Sequence, residues 1–294
     1  MTITSPSLTR LSRRALLLGA AALAACDERR PAKPGDAPAA SGPMTIAQAV
    51  AGDWRPPADK ARDRWRHPVE SLTFWGLKPG LEVVEFWPGA GWYTEILAPY
   101  LADNGGKLYA ANLQPDDPAA REVVEVLRAR LKARPGLYGD VTTTEFGPTS
   151  GAVAPAGTAD LVLFLRNLHN WMAAGVAEKA FHDAFEALKP GGALGVEEHR
   201  AAPGGVQDPL AADGYVQQAY AIQMATEAGF VFDNASEINA NPKDDRNHPF
   251  GVWTLPPIRR SSPRGQPDDP AFDHAKYDAV GESDRMTLRF VKPG

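Results

Sequence analysis

From residue 44 onward, short apolar runs alternate along the chain with segments of helical periodicity. Runs rich in Val, Leu, Ala and Phe predict buried strands at 81–86, 107–112, 141–146, 160–165, 193–199 and 230–238. Apolar positions three and four residues apart, with turn residues at their ends, predict helices at 58–66, 69–75, 92–101, 118–134, 175–188 and 211–228. Strands separated by helices of this length are typical of a doubly wound, mostly parallel α/β sheet.

A long Pro-rich segment at 239–285 separates these elements from a last strand, which is predicted at 286–291 and expected to be antiparallel. Two stretches of this segment, 241–246 and 281–285, are dense in Asp and Arg. They predict a loop held together by ion pairs or, alternatively, a lid over the ends of the strands.

The first 25 residues have the pattern of an export signal. Three arginines within positions 10–14 precede an apolar run at 15–25, which at about 1.5 Å per residue is too short to cross a hydrocarbon core of about 30 Å. Ser-Arg-Arg-Ala-Leu-Leu at 12–17 resembles the twin-arginine export motif, whose translocon carries folded proteins. An ordinary secretory signal is the alternative.

The end of this signal resembles a bacterial lipobox, Leu-Ala-Ala-Cys at 23–26. In that motif Cys26 is acylated and becomes the mature N-terminus, which predicts a lipid anchor in the membrane. Asp27 resembles the retention signal of inner-membrane lipoproteins, so we expect the protein on the periplasmic face of that membrane. Residues 26–43 are rich in Pro, Ala and Gly and predict a flexible tether.

Composition narrows the possible partners. The 294 residues include 31 Lys and Arg against 36 Asp and Glu, a formal net charge of −5. This balance argues against a nucleic-acid-binding protein, which needs a concentrated basic face. One cysteine excludes an internal disulfide framework and a multi-cysteine metal cluster, and its lipobox position argues against a nucleophilic role.

Glycines and polar residues follow the predicted strands at the edge where parallel sheets bind ligands. The first strand leads into Trp-Pro-Gly-Ala-Gly at 87–91, and the second ends at Asn112. The fourth strand leads into Arg-Asn-Leu-His-Asn-Trp at 166–171, and Leu-Lys-Pro-Gly-Gly at 188–192 leads into the fifth. Glycines at a strand-to-helix turn let the backbone approach a ligand closely.

The order and spacing of these motifs resemble the class I S-adenosylmethionine-dependent methyltransferases over about residues 70–238 and the last strand. A narrower resemblance is to a family of exported predicted methyltransferases among bacterial lipoproteins, through segments such as Trp-Pro-Gly-Ala-Gly-Trp-Tyr-Thr at 87–94. The resemblance implies a Rossmann-like methyltransferase domain over residues 44–294 with seven strands. It also implies S-adenosylmethionine as cofactor and a small molecule as methyl acceptor, with an aromatic compound as one option.

The resemblance also implies roles for individual residues. Glu85 would orient the glycine loop or the methionine amino group of the cofactor, and Gly89 and Gly91 would border its methionine and ribose. Asn167 would lie near the cofactor, where the loop after the fourth strand meets the substrate.

Two positions depart from the family pattern. Trp87 replaces the first glycine of the first motif, where it would narrow the cleft or stack on adenine. Asn112 replaces an acid at the end of the second strand, and it would bond the ribose hydroxyls without a carboxylate's charge-assisted strength.

Methyl transfer requires an acceptor held in line with the methyl group and, for many acceptors, a base. His169 and His199 are the candidate bases. Glu197 shares a strand face with His199, since residues two apart on a strand point the same way. His169, Glu197 and His199 would also suit a metal centre of two histidines and one carboxylate.

Three functions therefore stay open at this point. The first is a lipid-anchored methyltransferase, and the second is a periplasmic binding or accessory protein that kept the fold and lost the chemistry. The third is a metal-dependent enzyme built on the two histidines.

Overall fold

The structure, a computed structural model, describes residues 42–114 and 118–294. Its strands are β1 (Glu82–Phe86), β2 (Lys107–Leu113), β3 (Val141–Phe146), β4 (Ala159–Leu165), β5 (Leu188–His199), β6 (Val231–Ser236) and β7 (Arg285–Val291). Within the described ranges these seven strands form one sheet in the order β3-β2-β1-β4-β5-β7-β6. All neighbours are parallel except β7, which runs antiparallel to β5 and β6. The predicted fold class is confirmed, including the long insertion before the antiparallel strand.

Helices cover both faces of the sheet, as a doubly wound fold requires. They are α1 (Ile46–Ala51), α2 (Pro57–Lys60), α3 (Asp63–Arg66), α4 (Pro68–Trp75), α5 (Thr94–Asp103), α6 (Pro118–Ala133), α7 (Pro135–Tyr138), α8 (Leu168–Ala173), α9 (Ala177–Ala187), α10 (Gln218–Glu227) and α11 (Ala275–Val280), with a 3₁₀ turn at Gly251–Thr254. On one face, α8, α9 and α10 bury an aromatic cluster that includes Phe86, Phe164 and Trp171. On the other, α1, α4 and α5 bury Leu72, Trp75 and their neighbours.

Several boundaries differ from the sequence prediction, and in two cases local hydrogen bonds explain the difference. The segment 58–66 forms two short helices, α2 and α3, rather than one. Residues 211–217 form turns ahead of α10, because the side chains of Asp208 and Asp213 accept hydrogen bonds from backbone N–H groups of this segment. Strand β5 begins at Leu188 because Gly191 and Gly192 exchange backbone hydrogen bonds with Lys292.

The insertion between β6 and β7 is held by buried ion pairs, as the first of the two sequence interpretations expected. The Asp284 carboxylate, 2% exposed, accepts hydrogen bonds from the guanidinium groups of Arg200 and Arg246. Asp244 accepts one from the Tyr215 hydroxyl and one from the Asp284 backbone N–H. The stretches 241–246 and 281–285 thus form a wall of the domain.

The predicted signal at 1–25, Cys26 and the tether as far as residue 41 lie outside the described residues. Among the described helices, none combines the length and the apolar character that spanning a bilayer requires.

Candidate active site

A cavity of about 280 Å³ lies beyond the carboxyl ends of β1 and β4. These adjacent strands lead to helices on opposite faces of the sheet, so the cavity lies at the topological switch point where open α/β sheets bind ligands. Its walls come from β1, the loop 87–90, the end of β4 and the short helices α2 and α3. A cavity is therefore present at the edge of the sheet where the sequence predicts a ligand site.

Trp87 forms part of the cavity wall without filling the cavity. Its backbone has φ 45°, in the left-handed region that favours glycine, so the chain keeps the path that the motif glycine would allow. The indole Nε1 donates a hydrogen bond of 2.8 Å to the Phe146 carbonyl at the end of β3. The indole also packs edge-on against Trp171, with ring centroids 5.8 Å apart. These contacts hold the ring against the core.

The two loop glycines have different surroundings. Gly89 has φ 60° and lines the cavity, and a Cβ atom added there would meet nothing within 4 Å. Its backbone is therefore open to a ligand. A Cβ at Gly91 would lie 2.8 Å from the Leu127 side chain, so Gly91 is needed for packing of the loop against α6. Gly91 does not line the cavity.

Glu85 lies at the base of the cavity and is 2% exposed. The Thr94 hydroxyl donates a hydrogen bond of 2.7 Å to one oxygen of its carboxyl group. Burial raises the pKa of Glu85 from 4.5 to about 7, an increase that the Thr94 hydrogen bond and the positive charge of Arg166 reduce only in part. A cationic group bound in the cavity would favour the ionised form of this carboxyl group.

The two asparagines predicted to contact the cofactor are also placed differently. Asn167 lines the cavity and donates a hydrogen bond of 3.1 Å to the Trp87 carbonyl, which ties the end of β4 to the loop after β1. Asn112 is buried at the end of β2 and donates to the Ala110 carbonyl. Its side chain does not line the cavity.

A second cavity, of about 200 Å³, adjoins the first. Arg62, Arg66 and Arg166 line both. The polar wall of the second cavity includes His169 and His199, and its apolar wall is the segment 252–258. Both candidate bases therefore face a space next to the predicted cofactor cavity.

His169 forms a buried pair with Glu198. The carboxylate of Glu198 accepts backbone N–H hydrogen bonds from His169 and His199, at 3.2 and 2.7 Å. The ring Nδ1 of His169 lies 2.8 Å from the same carboxylate. A ring that donates its Nδ1 proton to this carboxylate presents a lone pair at Nε2 when it is neutral. Among the described residues, no group bonds Nε2.

His199 and Glu197, two residues apart on β5, have different partners. His199 lines the second cavity, and its Nδ1 lies 2.6 Å from the Ser283 hydroxyl. Burial, the adjacent His169 and the positive charges of Arg285 and Arg166 hold the pKa of His199 well below its ordinary value, so the ring is neutral at pH 7. Glu197 is 1% exposed and lies behind Arg166.

The structure brings Glu198, rather than Glu197, to the two histidines. Potential ligand atoms of His169, Glu198 and His199 lie within 4.8 Å of one another. However, the Glu198 carboxylate is already bonded to the His169 ring and to two backbone N–H groups. These bonds hold the His169 ring in one orientation.

The sequence interpretation missed Glu198 and the arginines. Glu197 accepts hydrogen bonds from Arg166 and the Tyr93 hydroxyl, and its carboxylate lies 2.6 Å from Nε of Arg285. Burial tends to lower the pKa of Arg166, but Glu197, Tyr93 and Glu282 hold it above its ordinary value. The available signals were the position of Arg166 directly after β4 and the Glu-Glu-His run that ends β5.

No family model matches the chain, and no curated protein sequence matches it. Solved structures do match. A SAM-dependent methyltransferase from Aquifex aeolicus superposes with a TM-score of 0.50 and 18% identity, over 67% of this chain and 94% of that one. The fold is that of the S-adenosylmethionine-dependent methyltransferases.

Two further matches show how widely this fold is used. The [4+2]-cyclase SpnF has a TM-score of 0.51 and 16% identity, over 84% of this chain and 91% of that chain. A phosphoethanolamine N-methyltransferase 2 from Haemonchus contortus, in complex with S-adenosyl-L-methionine, has a TM-score of 0.50 and 14% identity, over 78% of this chain and 53% of that one. Because one of these proteins is named for a cyclisation, the reaction has to be argued from the site.

Proposed function

We propose that this protein is an S-adenosylmethionine-dependent methyltransferase that acts on a small molecule. The observation that carries the proposal is the pair of adjoining cavities at the carboxyl ends of the strands. In the first cavity the backbone at Gly89 is open to a ligand. In the second, Glu198 bonds Nδ1 of His169 and so holds the ring, and Nε2 is left available.

The residues around the first cavity suit the cofactor. The space at Gly89 gives backbone access, and the buried carboxyl group of Glu85 suits the cofactor's ammonium group. Asn167 can bond the polar end of the ligand, while Asn112 is turned away in the structure. When bound, S-adenosylmethionine supplies an electrophilic methyl group on a sulfonium.

The second cavity suits the methyl acceptor. An acceptor hydroxyl or amine placed beside His169 would donate its proton to Nε2 while its heteroatom attacks the methyl group. The Glu198 carboxylate holds the ring orientation and stabilises the imidazolium that forms. Neutral His199 can accept or donate a hydrogen bond at the same acceptor.

The proposal includes the cellular location expected from the sequence. Export through the segment 1–25 and acylation at Cys26 would place the domain at the periplasmic face of the inner membrane. In cells labelled with a clickable palmitate analogue, the full chain should become labelled and a Cys26→Ala variant should not. Equal labelling of both chains would contradict the lipid anchor.

Cofactor binding is tested by isothermal titration with S-adenosylmethionine and S-adenosylhomocysteine. Binding should be measurable for the full chain and lost in Gly89→Asp, which places a carboxylate in the hollow. Failure of both compounds to bind at millimolar concentration would refute the proposal.

Catalysis is tested with methyl-labelled S-adenosylmethionine and a small-molecule extract. The His169→Gln variant should lower the rate of labelling by roughly 10²–10⁴-fold while leaving S-adenosylhomocysteine affinity unchanged. The matched control is His182→Gln, because His182 is exposed on α9. Equal loss of labelling in both variants would exclude His169 as the base.

A further inference from the structure

Three guanidinium groups lie at the boundary between the two cavities. Arg62 and Arg66, both on or next to α3, donate through Nε to the carboxylate of Glu282 at 2.9 and 2.8 Å. Arg166 reaches the same boundary from the end of β4 and donates through Nη1 to Glu197 at 3.2 Å. These contacts with Glu282 and Glu197 hold each guanidinium group in place.

All three arginines line both cavities, and two of them keep donors without a partner. Among the described residues, the Nη1 and Nη2 atoms of Arg66 and the Nη2 atom of Arg166 have no hydrogen-bond partner. The Arg66 guanidinium also lies over the Trp92 ring, 4.8 Å from its centroid, which holds it in place. A guanidinium with free donors in a fixed orientation is suited to bidentate binding of a carboxylate or a phosphate.

The charges that line the second cavity are unequal. Arg62, Arg66 and Arg166 line it together with a single carboxylate, Glu282. His199 is neutral and adds no charge to this surplus. An anionic group is the ligand that this positive potential favours.

The opposite wall of the second cavity is apolar. It is formed by Val252, Trp253, Leu255, Pro256, Pro257 and Ile258. The Trp253 ring also packs edge-on against His169, with centroids 5.8 Å apart. A volume of about 200 Å³ suits a body the size of a single ring.

We propose that the methyl acceptor is a small organic anion. Its carboxylate or phosphate binds Arg62, Arg66 and Arg166, its apolar body lies against residues 252–258, and its hydroxyl or amine meets His169. The identification of this anion as the acceptor rests on the proposed function, whereas its binding does not.

The test measures binding to the purified protein without cofactor. The probes are 4-hydroxybenzoate, phenyl phosphate and the uncharged 4-hydroxybenzamide, titrated at low and high salt. We expect at least one anion to bind roughly tenfold or more tightly than the amide, because a charged hydrogen-bonded contact is lost in the amide. That preference should shrink at high salt.

The matched variants are Arg62→Gln and Arg64→Gln, since Arg64 lies two residues further along the chain but is exposed and outside both cavities. Arg62→Gln should weaken the anion roughly tenfold or more, and Arg64→Gln should leave it unchanged. Arg62→Lys, which keeps the charge, should bind the anion more tightly than Arg62→Gln.

The proposal is overturned if no anion binds at 10 mM, if the amide binds as tightly as both anions, or if the Arg62 and Arg64 variants behave alike. A variant at Arg62 that weakens S-adenosylhomocysteine but not the anion would also overturn it. Anion binding in a protein that binds no S-adenosylmethionine would instead keep the anion site and remove the proposed function.

Discussion

The Glu85→Gln substitution measures how much the ionisation of a buried carboxyl group lowers the free energy of unfolding. Glutamine keeps the size of the side chain and can still accept the Thr94 hydrogen bond, but it cannot ionise. The folded protein raises the pKa of Glu85 from 4.5 to about 7, mainly through burial. Ionising this group in the folded state therefore opposes folding.

The sign of the effect follows from proton counting. Between pH 4.5 and 7 the folded chain keeps the Glu85 proton and the unfolded chain has lost it, so stability falls as the pH rises through this window. The stabilising contribution is fully present below pH 4.5 and lost above pH 7. The whole displacement corresponds to ~3 kcal/mol of unfolding free energy.

Urea denaturation of the natural chain and of Glu85→Gln, at several pH values from 5 to 8, measures this quantity. We expect the variant to gain stability relative to the natural chain as the pH rises, by ~2 kcal/mol over this range. The control is Glu186→Gln, at an exposed position of α9, for which the difference should stay constant. A difference for Glu85→Gln that stays flat from pH 5 to 8 would refute the reasoning.

Three further substitutions test the surroundings of the site by urea denaturation. Trp87→Phe should cost ~1 kcal/mol through the lost hydrogen bond to Phe146, and an unchanged stability would contradict that bond. Trp87→Gly suits the positive φ but should still destabilise by ~3 kcal/mol, because the packing of the half-buried indole is lost. A more stable variant would show that backbone strain dominates. Glu197→Gln should cost ~3–5 kcal/mol because the Arg166 and Arg285 guanidinium groups lose their shared carboxylate, and a loss below 1 kcal/mol would contradict this network.

The alternation of strands and helices was predictable because each element of the sheet carries its own periodicity. The seven strands and the antiparallel last strand followed from the motif resemblance, and the cavity at the ends of β1 and β4 followed from the fold. Local pattern is sufficient for these features because right-handed crossovers and buried parallel strands leave few alternatives.

The backbone conformation of Trp87 and the position of its indole ring were not predictable in the same way. Sequence pattern shows a bulky residue in place of glycine, but not that the backbone keeps a positive φ there. Nor does it show that the indole bonds the Phe146 carbonyl on a strand about 60 residues later. The position of the ring depends on tertiary contacts alone.

The partner of His169 illustrates the same limit. The two-residue repeat of a strand predicted that Glu197 and His199 share a cleft, but His169 comes from α8, which packs on the sheet. There it meets Glu198, 29 residues away in the chain. Alternation along one strand cannot reveal which residue of a different layer meets it.

The ion pairs from Arg62 and Arg66 to Glu282 join positions 220 and 216 residues apart. Arg285 closes the same wall by donating to the Trp65 carbonyl, again across 220 residues. A nascent chain that lacks its last fifteen residues also lacks Glu282 and Arg285. It therefore cannot complete this wall of the cavity, even if other strands of the sheet have formed. High contact order of this kind slows folding, so we expect ligand affinity to emerge in the final stage of folding and to vanish after C-terminal truncation.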